Sequence, residues 1–371
     1  MRLYIKLKLI IKRGDSLNKR AVLASQMTWI FILIAGAFIF LISFKLISIH
    51  KSVSQTKLAI QIASKLKANV ATFSTTQNAY SSIQTFGGTI HNSCNGLVIS
   101  SSQTLPIFVF SRDSLSSNSG FWNVFVHPFN FPMSSGNLVT IVDPQTVFVF
   151  VYDSNNASQV GIVNQVKSLL PSQNRTSVPV RIKDSSDISS ALSFASSLKN
   201  NHFNIITFSD YSNSLPSNVN LYYVQYGSLQ YNPDGTLSSG FGNVTFYKSK
   251  NGQAHREGVL SFFGFPLLAS YVCSDFDVAS CNLQKLLQGS YYTLNISAQR
   301  LLYLQQGFPE CSQHFSYVVK DVAELNSVIS KLLEQENYEK LNKYAHILWK
   351  EQIAVSSDNE ALLEESCPTL Y

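Results

Sequence analysis

Between Met27 and Phe44 the chain runs eighteen residues without a charge, "MTWIFILIAGAFIFLISF", and thirteen of them are Ile, Leu, Phe or Ala. An α-helix rises about 1.5 Å per residue and needs about 20 apolar residues to cross a bilayer core, so with its flanks this run suffices. The core helix of a soluble protein would show a polar face, and only Thr28 and Ser43 interrupt this one. A transmembrane helix is therefore expected over residues 27–47, and its partner is the lipid bilayer.

The flanks set the orientation. Arg2, Lys6, Lys8, Lys12, Arg13, Lys19 and Arg20 precede the run against the single acid Asp15, whereas Lys45, Lys51, Lys57, Lys65 and Lys67 follow it. The excess on the first side places the N-terminus in the cytoplasm and the rest of the chain outside, as a single-pass cell-membrane protein. The apolar run exceeds a signal-peptide core of about 7–15 residues, and no small-x-small cleavage site follows it. "KRAVLASQ", Lys19–Gln26, offers a site like those at which archaeal pilin leaders are cut, which keeps a pilin-like filament subunit as an alternative.

Periodicity divides the remainder. Residues 1–26 form a basic tail, and residues 48–72 continue the helix as a stalk, with Ile49, Val53, Leu58, Ile62 and Leu66 along one face. Residues 73–145 are β-rich, short apolar runs separated by Gly, Ser, Asn and Pro. Residues 146–265 alternate strand and helix: "TVFVFVYD", "NASQVGIVNQVKSLL", "VPVRI", "DISSALSFASSLKNN", "FNIITFSD", "NLYYVQYG", then a hairpin turning at Asn251-Gly252. Such alternation argues α/β (α+β overall), with a Rossmann-like parallel βαβ sheet. Residues 266–371 read as helical around Pro266–Val272, Asn295–Gln306 and Val322–Ile353, the last with Leu325, Ile329, Leu332, Leu341 and Leu348 on its apolar face.

Chemical motifs are scarce. GxGxxG, Walker, HExxH and GxSxG patterns are absent, and the seven histidines occupy separate contexts. His91 stands three residues before Cys94, but no third group orients such a pair. Asp153, Asp184 and Asp210 close three strands, at the edge where doubly wound sheets bind ligands. Together they are the candidate ligand or Mg²⁺ set, against the simpler role of turn and cap residues. No catalytic residue, cofactor or dedicated metal site is otherwise expected. The net charge of +6 gathers round the apolar run, which fits lipid contact and not nucleic acid. Asn156, Asn174, Asn243 and Asn295 head glycosylation sequons.

An outer location permits disulfides. Of the five cysteines, Cys273, Cys281, Cys311 and Cys367 cluster after residue 270 and allow three pairings among themselves. Cys281–Cys311 leads, because the segment between them reads as a packed helix pair, with Cys273–Cys281 as the alternative.

"ASQMTWIFILIAGAFIFLISFKLI" and "FPLLASYVCSDFDVASCNLQKLL…NISAQRLLYLQQGFPECSQHFSY" resemble a group of archaeal single-span membrane proteins of unassigned activity. The resemblance implies an N-terminal anchor entered at Gln26-Met27-Thr28-Trp29 and a Cys-containing α/β ectodomain. It favours Cys281–Cys311 and carries no catalytic residues. The expectation is thus a non-enzymatic envelope protein with a structural or protein-interaction role. An extracytoplasmic enzyme or small-ligand receptor using the sheet edge is the alternative.

Overall fold

The computed structural model describes residues 2–73, 79–84, 89–99, 103–105, 108–116, 120–131, 134–172, 180–198, 201–334 and 338–369. The side chains of residues 1–28, and so the basic tail and Gln26-Met27-Thr28, lie outside the description, as do Leu58, Asn174, Val178 and Leu341. The chain forms two compact units, Met1–Lys57 and Leu58–Tyr371. About half of it is helix and a third strand, a mixed α/β protein with parallel and antiparallel pairing.

Helix α1 (Arg2–Phe73) supplies the first unit. Its segment Trp29–Lys51 is the one described helix long and apolar enough to cross a membrane, and none of it is buried. Val53 is still about half exposed. The second unit begins where this exposure ends. Ala59, Ile62, Ala63 and Leu66 are all buried, so part of the helix expected over 48–72 belongs to a folded core, while Ile49, Val53 and Ile60 stay about half exposed. A repeat of apolar residues marks a buried face without saying what covers it; here the cover is a core shared with Trp122, Val124, Val126, Val139 and Ile141.

That sheet is built from β1 (Ala79–Gln84), β5 (Val109–Phe110), β7 (Phe121–Asn130) and β8 (Ser134–Val142), in the order β1-β7-β8-β5. Beside it lies a smaller antiparallel sheet of β2 (Thr89–Ser93), β3 (Gly96–Ile99), β4 (Gln103–Leu105) and β6 (Ser114–Ser116), ordered β4-β3-β2-β6. Strand alternation gives β7 and β8 two apolar faces. Trp122, Val124, Val126, Val139 and Ile141 join α1 in one core, and Phe125, Phe129, Leu138 and Val142 join the main core on the other side.

The third sheet follows the order β10-β9-β11-β12-β13-β14: β9 (Thr146–Val151), β10 (Arg181–Ser185), β11 (His202–Thr207), β12 (Val219–Tyr231), β13 (Leu237–Lys250) and β14 (Gln253–Phe263). The first four strands are mutually parallel and the last two antiparallel. Its central strands are apolar on both faces, as a sheet covered twice requires. Phe148, Phe150 and Ile206 meet α2 (Ala157–Leu169) in the main core, while Val147, Val149 and Ile205 meet α3 (Ile188–Ser197) opposite. Asn156 caps α2 and Asp187 caps α3, each accepting from a backbone N–H in the first turn. At the β13–β14 turn, Asn251 (φ 55°) and Gly252 (φ 80°) both adopt the left-handed backbone of a tight hairpin.

The chain closes in helices α4 (Phe265–Tyr271), α5 (Phe276–Gly307), α6 (Ser312–Glu334) and α7 (Tyr338–Glu364). Buried α4 touches β7, β8, β13 and β14, so it lies between the two large sheets. Helix α5 starts nineteen residues before the sequence pattern suggests (295 − 276), because buried Ser280, Asn282 and Ser290 interrupt its apolar stripe.

Candidate functional site

The three acids singled out from sequence each have a local partner. Asp153 Oδ1 accepts from the Asn155 N–H at 2.9 Å, closing a turn. Asp184 pairs with Lys167 at 2.5 Å. Asp210 Oδ1 accepts from the Tyr247 hydroxyl at 2.6 Å and from the Tyr211 N–H at 2.9 Å. Burial and the Asp210 charge push the Tyr247 phenol up to about 12, so it remains a donor at neutral pH. Among the described residues no three His, Cys, Asp or Glu side chains are grouped to hold a metal ion, so the three acids are not gathered as a metal site.

The polar centre of the domain lies elsewhere. Where α4 leads into α5, the segment Ser270–Asp275 meets the end of β5 and the first residues of β11 and β12. Asp275, only 6 % exposed, is the hub. It precedes α5 but does not cap it; its carboxylate reaches across the fold instead. Oδ2 accepts from the Asp113 N–H at 2.8 Å, and Oδ1 accepts from Asn220 Nδ2 at 3.0 Å. Around it the Tyr222 hydroxyl donates to the Ser274 carbonyl, Asn204 Nδ2 to the Val272 carbonyl, and the Ser274 hydroxyl to the Ser111 carbonyl. One short segment thereby ties the first large sheet to the second.

The electrostatics follow from burial. Lys248 Nζ stands 3.8 Å from both Asp275 and Asp113. Desolvation raises the Asp275 carboxyl, only partly offset by the Asp113 N–H and Lys248, and the neighbouring Asp113 carboxyl raises it further. Partial burial of Asp113 is outweighed by its hydrogen bond with Asp275 and by Lys248, and its carboxyl is lowered. A proton shared by the two therefore rests on Asp275. Glu257 is also raised, by burial and then by Asp275, Asp277 and Asp113, against Lys248. Such a pair could pass a proton, but both Asp275 oxygens are occupied and shielded from solvent. The arrangement joins the two large sheets through one segment.

His202, at the start of β11, adds a pH dependence. Burial, then the Arg112 charge, lower it to about 4 from 6.5. The folded state thus holds the neutral imidazole, so stability is full above about pH 6.5 and falls as pH drops toward about 4. Asp275 acts in the opposite sense over the same window, so the test is a difference. Thermal melts should show His202→Phe gaining stability relative to wild type as pH drops from about 6.5 toward about 4, and a difference that does not change with pH would contradict this assignment.

Two cysteine pairs stand at disulfide distance, Cys94–Cys281 with Cα atoms 5.6 Å apart and Cys311–Cys367 at 6.0 Å, while Cys273 is a buried free thiol. These replace Cys281–Cys311 and Cys273–Cys281. Residues 281 and 311 occupy opposite ends of the long α5 and its following turn, so the intervening segment is one helix and not a pair. Cys94 is a bridge partner, not a nucleophile beside His91. Sequence reasoning missed Asp113, Lys248 and Asp275; the Asp275 contact spans 162 residues, and no motif in the sequence marks it. Of the described sequon residues, Asn156 caps α2, Asn243 accepts from the Ser261 hydroxyl, and Asn295 accepts from Asn326. Comparison with protein-family models, curated proteins and solved structures found no match to the chain.

Proposed function

We propose that the chain is a membrane-anchored extracytoplasmic protein with a structural or protein-interaction role at the cell envelope. The observation that carries this reading is the pairing of an unburied apolar helix, Trp29–Lys51, with a domain cross-linked at Cys94–Cys281 and Cys311–Cys367. Disulfides persist in oxidising compartments, and the basic excess before the span favours a cytoplasmic N-terminus. The domain's core is read as Rossmann-like: β10-β9-β11-β12 run parallel, with α2 and α3 against opposite faces. Enzymatic or receptor use of its carboxyl edge is disfavoured, because Asp153, Asp184 and Asp210 are each engaged locally. Alkaline carbonate extraction tests the anchor. The full chain should stay in the membrane pellet and a version lacking residues 1–51 should be soluble; release of the full chain would overturn it.

A pilin-like filament subunit is the second reading, favoured by the two-part character of α1. Its residues 29–51 are apolar and exposed, whereas Ala59, Ile62, Ala63 and Leu66 are embedded in the domain. It expects a mature N-terminus at about Val22, and N-terminal sequencing of the native protein that begins at residue 1 or 2 would remove it.

A further inference from the structure

Helix α5 carries two seams. Leu287, Ser290, Leu294, Ser297 and Leu301 are buried and face the domain, at alternating steps of three and four residues. Tyr292, Ile296, Gln299, Tyr303 and Gln306 are exposed and repeat at alternating steps of four and three. Tyr292, Ile296, Gln299 and Tyr303 each follow a buried residue by two positions, about 200° round the helix, so the outer seam lies opposite the inner one. Steps of three and four are the spacing by which one helix seats on another. The outer seam is apolar and open: Tyr292, Ile296 and Tyr303 are 58 %, 69 % and 76 % exposed, and Leu302 beside them is half exposed. The Tyr292 ring is set edge-on to Tyr291, 5.8 Å from centre to centre.

The order of the seam says what fits it. None of its five residues carries a charge, so covering it desolvates no ion. Laid antiparallel on its own copy, the seam matches. Gln299 falls on the two-fold axis, Ile296 meets Tyr303 of the partner subunit, and Tyr292 meets the partner's Gln306. A contact between identical surfaces needs this self-complementarity. A carboxamide on the axis offers its copy both a donor and an acceptor, where a charge would meet its like. Arg300, on the flank, falls opposite the partner's Thr293 and away from its own copy. The exposed parts of the seam and Leu302 come to roughly 600 Å² per copy, taking about 200 Å² for a whole aromatic side chain. Two copies then bury roughly 1,200 Å², the lower edge of stable interfaces. An anchor holding both copies in one membrane raises their effective concentration.

We infer that α5 is the interface of an antiparallel homodimer, two copies joined through Tyr292, Ile296, Gln299 and Tyr303. The inference rests on the protein-interaction reading above and names a second copy of this chain as the partner. Every seam residue belongs to the second unit.

Sedimentation equilibrium of the detergent-solubilised full chain tests it. A reversible dimer is expected. Ile296→Glu and Tyr303→Lys should each weaken it at least about tenfold, since each sets a charge against an uncharged partner side chain. The double variant should regain the wild-type affinity, because antiparallel pairing sets the new acid of one copy against the new base of the other. In native membranes Gln299→Cys should cross-link two copies under mild oxidation, whereas wild type, whose free thiol Cys273 is buried, should not. Absence of both dimer and cross-link would leave the seam to another partner and overturn the proposal. So would a dimer that either single variant leaves intact, or a double variant that binds no tighter than the singles. Sedimentation reads the seam and carbonate extraction reads the anchor, so either can fail without the other.

Discussion

Serine at both Cys94 and Cys281 should lower the unfolding free energy of the domain by about 5 kcal/mol, from the chain-entropy cost of closing so long a loop. The bridge spans 187 residues and ties the small sheet to the front of α5. Cys311–Cys367 spans 56 residues, and its removal should cost about 4 kcal/mol on the same argument. Urea denaturation of the oxidised protein and the two double variants gives both numbers. Equal, small losses would mean that the reduced chain keeps the two ends together by other contacts. Cys273→Ser is the matched control: its thiol donates only to the Ala269 carbonyl at 3.2 Å and closes no loop.

Asp275→Ala is expected to cost about 3 kcal/mol, since it leaves the Asp113 N–H and Asn220 Nδ2 without acceptors inside the fold. Asp275→Asn should cost less, because one acceptor oxygen survives and the buried charge is gone. The two variants also differ from wild type in pH dependence. A carboxyl raised by burial stabilises the fold below its unfolded value and loses that contribution as pH rises through its folded value. Wild type should therefore weaken above about pH 4, relative to Asp275→Asn, until the pair is fully ionised. Denaturation of Asp275→Ala with less than about 1 kcal/mol of loss would show that the hub does not hold the layers together.

Much of the architecture could be read from pattern alone, and the rest fails for identifiable reasons. The elements β9, α2, β10, α3 and β11 follow from a change of period between apolar strands and capped helices, and Asn251-Gly252 names its own turn. The span follows from uncharged length. The role of residues 59–66 was hidden because a one-sided apolar helix looks the same free or packed. The front of α5 was hidden because its buried positions include Ser280, Asn282 and Ser290, polar groups held by hydrogen bonds that periodicity does not count. The candidate site was less legible still. Asp153, Asp184 and Asp210 do lie at or just beyond strand ends, yet Lys167, Tyr247 and local N–H groups, unforeseeable from spacing, take up their charge. The contacts that matter most, Asp113 with Asp275 and Cys94 with Cys281, join residues more than 160 positions apart, where one sequence offers no signal.

The central claim is a domain outside the membrane on the oxidising side, held by the helix at Trp29–Lys51. Its most direct test is non-reducing peptide mapping of the protein taken from membranes after blocking free thiols. The account predicts linked peptides containing Cys94 with Cys281 and Cys311 with Cys367, and alkylation at Cys273 alone once the protein is unfolded. Five alkylated cysteines would place the domain in a reducing compartment and contradict it.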